Sequence, residues 1–385
     1  MIFMKIVRLT ILALILCLSP LLAAGCWNYR EIDELAVVAG VAVDKANNGN
    51  YIITSEVIQI GNEKDAKIMS KKITIEGNTV FDAVRNGISL TGKKLYWSHA
   101  KIVIVSEEIA QKGLSKIVDW YNRDAETRTD VHIAVSKGVP AKEVLNSRGI
   151  LEEIVSFQID NMLKNQNSLS KAPDTEIWRF INDLQAKGVA AVTPSIEVVQ
   201  TGGEKMPQVM GAAVFKKDKL IGFLDGTDTK NMLFIKDEVK GGLLVLGEND
   251  LKVPVSLEIF KSETEVEPVV YGDKIEMNIN IEVTTAIDEI GGSKNYIEEN
   301  GRKNLELIAA KRLKADIEET IGKVQSDYGV DIFGFGAKVR EDKPEVWSAV
   351  GEEWENYFKN LRINIKTRVH IRDSAMTSKP LTIGD

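Results

Sequence analysis

The chain has 385 residues, of which 44% are apolar and 27% are charged. At roughly 100–200 residues per domain this length predicts two or three domains, and the composition excludes collagen, coiled coil and disorder as descriptions of the whole chain. The formal net charge is −7 and no long basic block occurs, so nucleic acid is not an expected partner.

Histidine and cysteine are too scarce for most metal-binding architectures. The three histidines, His99, His132 and His370, are far apart in the sequence, and the only cysteines are Cys17 and Cys26. We therefore expect no zinc or iron–sulfur site. No bound cofactor is expected either, because the pattern Gly334-Phe335-Gly336 lacks the third glycine of a dinucleotide-binding motif.

The order of charged and apolar residues in the first 25 residues is typical of a secretory signal peptide. Lys5 and Arg8 form a positive start without an acid, and an uncharged stretch follows from residue 9 to residue 24. Pro20 interrupts this stretch, whereas a permanent transmembrane helix needs about 20 apolar residues. We therefore predict that residues 1–25 are a signal peptide that is removed.

Cys26 is the predicted lipid attachment site. The small residues Ala23, Ala24 and Gly25 directly before it resemble a bacterial lipobox, in which the cysteine is acylated and the chain is cut immediately before it. Ala23 stands where a lipobox most often has leucine. The alternative is an ordinary secretory signal that leaves Cys26 as a single exposed thiol, which is a liability in an exported protein.

The predicted mature chain needs the lipid in order to stay on a membrane. Without residues 1–25 it has 47 basic and 56 acidic residues, a net charge of −9 that anionic headgroups repel. One acyl chain holds a protein only marginally, whereas two hold it stably. Trp27, next to the lipid, is either an aromatic side chain at headgroup level or the first buried residue of the fold.

The first predicted domain covers residues 26–138 and mixes strands with helices. The apolar run 34–44, the turn 47–50 and the Ile-, Val- and Thr-rich run 51–60 predict a hairpin. The other predicted elements are strands at 72–76, 101–105 and 131–136, a helix at 79–89 and a helical stretch from 106 to about 122.

The second predicted domain, residues 139–200, is small and mainly helical. Its periodicity indicates helices at 141–146, 151–163 and 175–186. The segment 201–205 contains two glycines and is the best linker in the chain, so we expect it to separate the second domain from the third.

The third predicted domain covers residues 206–385 and combines a sheet with one long helix at 304–328. Strict alternation from Leu361 to Arg372 predicts a last strand with one apolar and one basic face. The other predicted elements are strands at 209–216, 220–224, 242–246, 253–261, 266–271 and 274–283, and a helix near 344–358. The predicted fold class is α+β: several domains with mixed or antiparallel sheets and packed helices, and a C-terminal domain with one long helix on a sheet.

Ser98 and Lys101 match the Ser-x-x-Lys spacing of penicillin-recognising enzymes, in which the lysine activates a serine nucleophile. The Ser-Asp-Asn and Lys-Thr-Gly elements of those enzymes are absent, and Lys101 begins a predicted strand. We therefore expect a protein that is not an enzyme, and an envelope hydrolase stays open only as a weak alternative.

The segment 123–128 alternates positive and negative side chains. We predict that Arg123, Asp124, Glu126 and Arg128 form an ion-pair cluster in the first domain or contact a partner. The alternative is a solvated loop with local ion pairs.

An ordered set of segments resembles the spore germination lipoproteins that are the C subunits of nutrient germinant receptors, the Ger(x)C family. Each segment is weak alone, and the ordered set is specific. The segments are CWNYREIDELA at 26–36, VAVD at 41–44, LYWSH at 95–99, RDAETR at 123–128, GAAVFK at 211–216 with LIG at 220–222, and DIFGFG at 331–336.

The resemblance implies a non-enzymatic subunit that is required for nutrient-triggered spore germination. It implies integral-membrane A- and B-type receptor subunits as partners, and a location on the outer face of the cell membrane or inner spore membrane, held by acyl chains such as palmitate on Cys26. It further implies three α/β-type domains, no catalytic residue, and a ligand pocket in a membrane subunit. Another function that we weigh is that of a lipid-anchored extracytoplasmic solute-binding protein, which needs two parallel-sheet lobes joined by a hinge.

The segments of the resemblance contain the candidate structural or interface residues. Ser98 and His99 are interpreted as packing and hydrogen-bonding residues. The full set is Trp27, Arg30, Glu31, Tyr96, Ser98, His99, Arg123, Asp124, Glu126 and Arg128.

Overall fold

The computed structural model describes residues 1–22, 31–60, 68–247, 250–251, 253–272, 274–291, 296 and 298–372. Helix α1 (Ile2–Leu22) lies in the predicted signal peptide. Among the residues whose side chains are described, no helix is both long enough and apolar enough to cross a membrane.

Nine strands from residues 35–224 form one large mixed sheet. Their order is β3-β2-β1-β5-β6-β7-β8-β9, and β4 pairs with the start of β1. The strands are β1 (Leu35–Lys45), β2 (Tyr51–Ile60), β3 (Ile68–Gly77), β4 (Lys94–Tyr96), β5 (Ile102–Ser106), β6 (His132–Ser136), β7 (Val192–Thr201), β8 (Glu204–Lys216) and β9 (Lys219–Leu224).

The central strands of this sheet run in one direction, since β1, β4, β5, β6 and β7 pair in parallel wherever they are neighbours. They therefore all begin at the same edge. Leu35, Lys94, Ile102 and His132 are the first residues of β1, β4, β5 and β6. We call this edge the amino-terminal edge.

Helices cover both faces of the sheet, as parallel strands require. The helices after α1 are α2 (Val80–Thr91), α3 (Glu107–Lys112), α4 (Ser115–Arg123), α5 (Ala141–Asn146), α6 (Val155–Lys164), α7 (Ile177–Gln185) and α8 (Gly226–Ile235). One face forms a core with α2, α3, α4 and α7, and the other forms a core with α5 and α6. Successive side chains of a strand point to opposite faces of the sheet. In β1, Val41 and Val43 therefore belong to the first core and Ala42 to the second.

The linker predicted at 201–205 is wrong, because this segment is the turn of a hairpin. Thr201 at the end of β7 pairs with Glu204 at the start of β8, and Gly202 and Gly203 have φ values of 61° and 87°. Such left-handed conformations are typical of two-residue hairpin turns and favour glycine. Two adjacent glycines occur both in flexible linkers and in tight turns, so composition alone could not distinguish a linker from a turn here. The division into domains of 26–138, 139–200 and 206–385 stays a prediction.

A second sheet of four strands has the order β10-β11-β12-β13 and carries the long helix α9. Its apolar face packs on Leu305, Ala309 and Leu313 of α9. The elements are β10 (Leu243–Leu246), β11 (Val255–Tyr271), β12 (Lys274–Ile290), α9 (Glu299–Lys323), α10 (Phe335–Asp342), α11 (Pro344–Val350), α12 (Trp354–Lys359) and β13 (Arg362–Ile371). The α+β class is confirmed, as is the alternation of β13: Ile365 and Val369 are buried, and Arg362 and Arg368 are exposed.

Four predicted elements are divided or joined differently in the structure. The helical stretch 106–122 is divided into α3 and α4 at Gly113, whose φ of 121° no helix allows. The helix near 344–358 is divided into α11 and α12. The strands predicted at 253–261 and 266–271 are one strand, β11. Pro268 lies within it and pairs with Met277 of β12, while β10 covers only residues 255–258 on the other side. A proline without an N–H donor is tolerated there.

Strand β8 links the two halves of the molecule, because each of its faces belongs to a different core. Ala213 and Phe215 pack with the helices of the first half, whereas Ala212 and Val214 pack with α8 and the C-terminal elements. The second sheet therefore shares a hydrophobic core with the end of the first.

Candidate functional site

The candidate residues of the first half meet at the amino-terminal edge of the large sheet. Tyr96 ends β4, and Ser98 and His99 follow in the turn that leads to β5. The loop from Arg123 to Asp130 connects α4 to β6 and reaches the same edge. Two segments that α3, α4 and β5 separate in the sequence therefore lie side by side.

Two side-chain contacts join these segments. Ser98 Oγ donates a hydrogen bond to the backbone carbonyl of Glu126 over 3.1 Å, and the Glu126 carboxylate forms an ion pair with Lys94 of β4. The Lys94 and Glu126 side chains are only 14% and 31% exposed, so water screens this pair less than a surface pair. His99 is exposed and lies edge-on to the Tyr96 ring at 6.0 Å.

The loop after α4 is shaped by its own hydrogen bonds. Asp124 Oδ1 accepts the backbone N–H of Glu126 at 2.8 Å, and the Thr127 hydroxyl donates to the Tyr121 carbonyl. Burial raises the pKa of the Tyr121 hydroxyl, and the Asp124 carboxylate adds to this rise. The loop backbone is thus fixed, while its arginine side chains point outward.

The predicted ion-pair cluster of Arg123, Asp124, Glu126 and Arg128 is wrong, since these four side chains do not pair with one another. Arg123 pairs with Asp119 of α4 at 2.8 Å, and Arg128 pairs with Asp130. All four side chains are at least half exposed, and such pairs contribute only about 0–1 kcal/mol to stability. The two arginines are therefore accessible to another molecule at little cost to the fold.

The tether that leads to this edge is only partly described. Cys26, Trp27 and Arg30 lie outside the described residues. Glu31 is exposed, and a single helical turn separates it from Leu35, where β1 begins.

The geometry of this edge suits a contact surface better than a reaction. The Ser98 hydroxyl is engaged with a backbone carbonyl, and loops of catalytic α/β sheets gather at the carboxyl ends of the strands, which is the opposite edge. Within the described part of the chain, no group of three or more His, Cys, Asp or Glu side chains is placed to hold a metal ion.

A buried charge cluster around His132 was missed by the sequence analysis. His132 Nε2 contacts Asp174 at 2.8 Å and Nδ1 contacts Asp160 at 3.0 Å, the latter as an ion pair rather than a well-directed hydrogen bond. Burial alone lowers the pKa of His132, but the two carboxylates outweigh burial and raise the pKa to about 9. Lys164, at 2.7 Å, and His132 hold the pKa of Asp160 below its usual value against the effect of burial. The cluster joins β6 to α6.

A second missed site is Asp331, in the DIFGFG segment. Its Oδ1 accepts the backbone N–H groups of Phe333 and Gly334 at 3.0 and 2.9 Å, and its Oδ2 accepts those of Gly336 at 2.8 Å and of the Trp354 indole at 2.9 Å. Burial raises the pKa of the Asp331 carboxyl, and the N–H donors oppose that rise. The carboxylate therefore fixes the whole turn that precedes α10.

This turn forms the junction between the two halves of the molecule. The Ala190 N–H donates to the Asp331 carbonyl at 2.6 Å, and the Ala337 N–H donates to the Gly188 carbonyl at 3.0 Å. A Cβ atom on Gly188 would lie 2.5 Å from the carbonyl carbon of Gly336, so the two backbones approach closely because both residues are glycine.

Two buried carboxylates cap helices from other elements. Glu56 of β2, fully buried, accepts the backbone N–H groups of Val155 and Ser156 at the start of α6 at 3.1 and 2.8 Å. Asp44 of β1 accepts those of Ala141 and Lys142 at the start of α5. Each carboxylate satisfies donors that a helix leaves unpaired, so these residues are structural.

Comparison with known proteins gives matches over nearly the whole chain. Residues 28–198 match the family model described as the spore germination protein N-terminal domain, and residues 210–375 match that described as spore germination B3/GerAC like, C-terminal. Spore germination protein KC of Bacillus subtilis is 23% identical over 97% of this chain and 98% of its own length. Spore germination protein B3 of the same organism is 22% identical over 87% and 90%.

A solved structure shares the fold. The crystal structure of the GerBC protein covers 86% of this chain and 96% of its own, with a TM-score of 0.57 and 18% sequence identity. The segments noted from the sequence fall within the two matched family models, except that the first, 26–36, begins two residues before the N-terminal match.

Proposed function

The chain belongs to the Ger(x)C family of spore germination proteins, and on this premise we propose that it is a lipid-anchored subunit that contacts integral-membrane subunits of a nutrient germinant receptor. The proposed anchor is the lipid on Cys26, and the proposed location is the outer face of the cell membrane or inner spore membrane. The proposed partners are the A- and B-type subunits.

One observation supports this proposal most strongly: the candidate residues gather at the edge where the tether enters the fold. Eight residues separate Cys26 from Leu35, which limits the tether to about 26–29 Å at roughly 3.3–3.6 Å per residue. The amino-terminal edge, with its exposed Arg123 and Arg128, is therefore held near the membrane surface, where the outer loops of membrane proteins lie. Tethering also raises the local concentration of a partner to the order of millimolar.

The proposed role is non-enzymatic. The relatives carry names of spore germination proteins, and the Ser98 hydroxyl is held by the Glu126 carbonyl rather than by a general base. The architecture also differs from that of a solute-binding protein with two parallel-sheet lobes, because the second sheet is antiparallel except for β12 and β13 and shares a core with β8.

The anchor is tested by replacing Cys26 with alanine. We expect Cys26→Ala to lose fatty-acid labelling and to accumulate as uncleaved or soluble protein, since the mature chain has no second thiol and its net charge disfavours anionic headgroups. Cys17→Ala is the matched control, because Cys17 lies within the predicted signal and its loss should leave labelling unchanged. Undiminished lipid labelling of Cys26→Ala would contradict the proposed anchor.

A further inference from the structure

Three large apolar side chains are exposed around the amino-terminal edge. Leu90, in the last turn of α2, is 66% exposed, and Ile68 and Met69, at the start of β3, are 55% and 42% exposed. Exposed apolar side chains also occur elsewhere, such as Leu151 at 90% and Leu307 at 71%, so the position of these three at one end of the sheet matters more than their exposure alone.

Strand pairing places these side chains level with the end of the tether. Val38 of β1 pairs with Val57 of β2, and Ile60 of β2 pairs with Ile68 of β3. Because β1 and β2 are antiparallel, Ile60, three residues after Val57, lies level with Leu35, three residues before Val38. Ile68 therefore lies level with Leu35 as well. Leu35 also pairs with Lys94, which follows the end of α2 by three residues. Leu90 and Ile68 therefore flank the point at which the chain leaves the sheet toward Cys26.

We propose that the part of this edge formed by Leu90, Ile68 and Met69 rests on the lipid bilayer with these side chains inserted among the headgroups, beside the part with His99 and Arg128 that faces the partner subunits. The inference rests on the proposed anchor at Cys26. A tether of at most about 29 Å leaves these side chains within reach of the lipid, and apolar side chains of a surface-bound element enter the headgroup and acyl boundary by about 5–10 Å.

The charges of this edge indicate an apolar contact rather than an electrostatic one. Glu31, Asp33 and Glu34 are exposed on the tether, and Lys71 and Lys93 are exposed near Met69 and Leu90. The exposed Arg123 and Arg128 at the same edge are each paired with an aspartate, so their charges are locally neutralised. Acids at this position disfavour attraction to anionic lipids, so contact depends on burial of the apolar side chains and on the lipid anchor. The contact is therefore expected to persist at high salt.

The experiment uses the full chain in native membranes, with an environment-sensitive fluorophore on a new thiol. In the lipidated protein the Cys26 sulfur is blocked, so Leu90→Cys and Ile68→Cys are each labelled at one site. Asn47→Cys is the control, because Asn47 is exposed in the turn between β1 and β2, at the opposite edge of the sheet. Quenching by lipids that carry a nitroxide on the acyl chain reports contact with the bilayer.

We expect the probes at Leu90 and Ile68 to be blue-shifted and quenched at least about twofold more than the probe at Asn47, in low and in high salt. Equal quenching at all three positions in membrane-bound protein overturns the inference and leaves the anchor intact. A blue shift at Leu90 without lipid quenching also overturns it, since a protein then covers the edge. Absence of the chain from the membrane fraction overturns the proposed anchor and this inference together.

Discussion

Replacing Asp331 with alanine is expected to destabilise the protein more than any other single change considered for this fold. Asp331→Ala leaves four N–H donors without their acceptor, at Phe333, Gly334, Gly336 and Trp354. Each buried donor without a partner costs about 1–3 kcal/mol, so the free energy of unfolding should fall by about 4 kcal/mol or more. That loss is comparable with the roughly 5–15 kcal/mol by which a domain is stable.

Denaturant unfolding monitored by tryptophan fluorescence measures this loss directly. Glu345→Ala is the matched control, because Glu345 is an exposed acid on the neighbouring helix α11. Trp354→Phe should have a smaller effect, about 1.5–3 kcal/mol, since it removes one donor to the carboxylate and leaves the other three in place. A midpoint for Asp331→Ala equal to that of Glu345→Ala would show that the carboxylate does not hold the junction.

Removing His132 is expected to have the second-largest effect. His132→Ala leaves the carboxylate of Asp160, which is only 9% exposed, with Lys164 as its remaining ion-pair partner at this cluster. Loss of one partner from a buried ion pair costs about 3–5 kcal/mol. His370→Ala is the control, since the His370 side chain is 69% exposed and its pair with Glu306 is a surface pair.

The same cluster predicts a pH dependence with a defined sign. The pKa of His132 is raised from 6.5 to about 9, so the folded protein binds a proton that the unfolded chain releases in this interval. The stabilisation is complete below pH 6.5 and is lost as the pH rises to about 9. The melting temperature of the wild type should therefore fall over this interval more than that of His132→Ala. Parallel curves for the two proteins would contradict a charged His132.

Local patterns in the sequence predicted the elements whose signals are themselves local. The run from Leu35 to Lys45, the hairpin to β2 and the alternation of β13 follow from side-chain periodicity. Helix α9 follows from an apolar stripe, and the π-helical turn Val324–Tyr328 continues it as far as Gly329. The family resemblance was carried by short motifs in order, which do not depend on knowing their contacts.

Features made by distant residues could not be predicted in this way. Glu56 caps a helix that begins about one hundred residues later, and Asp174 reaches His132 from a loop between α6 and α7. Strand β7 was missed because its run from Val192 contains Pro194 and lies in the segment 139–200, which was predicted to be mainly helical. The alternating charges at 123–128 suggested that these side chains pair with one another. In the structure Glu126 pairs with Lys94 of β4, and Arg123 pairs with Asp119 of α4.

The turn at Asp331 could be predicted from the sequence, but its role as the junction between the two halves could not. The DIFGFG segment was noticed for its resemblance, and an aspartate followed by two glycines is typical of a turn fixed by a side-chain carboxylate. The Trp354 donor and the approach of Gly188 to Gly336 come from outside the segment, so its role as the junction required the structure.

The central claim, that this chain contacts integral-membrane receptor subunits through its amino-terminal edge, is tested most directly by site-specific photo-crosslinking in dormant-spore membranes. A photoreactive residue is placed at His99 or Arg128, both exposed at that edge, and at Asn47 on the opposite edge. We expect an A- or B-type subunit to be captured from His99 and Arg128 and not from Asn47. Capture from Asn47 alone, or of no membrane subunit from either edge position while the chain remains in the membrane, would contradict the account.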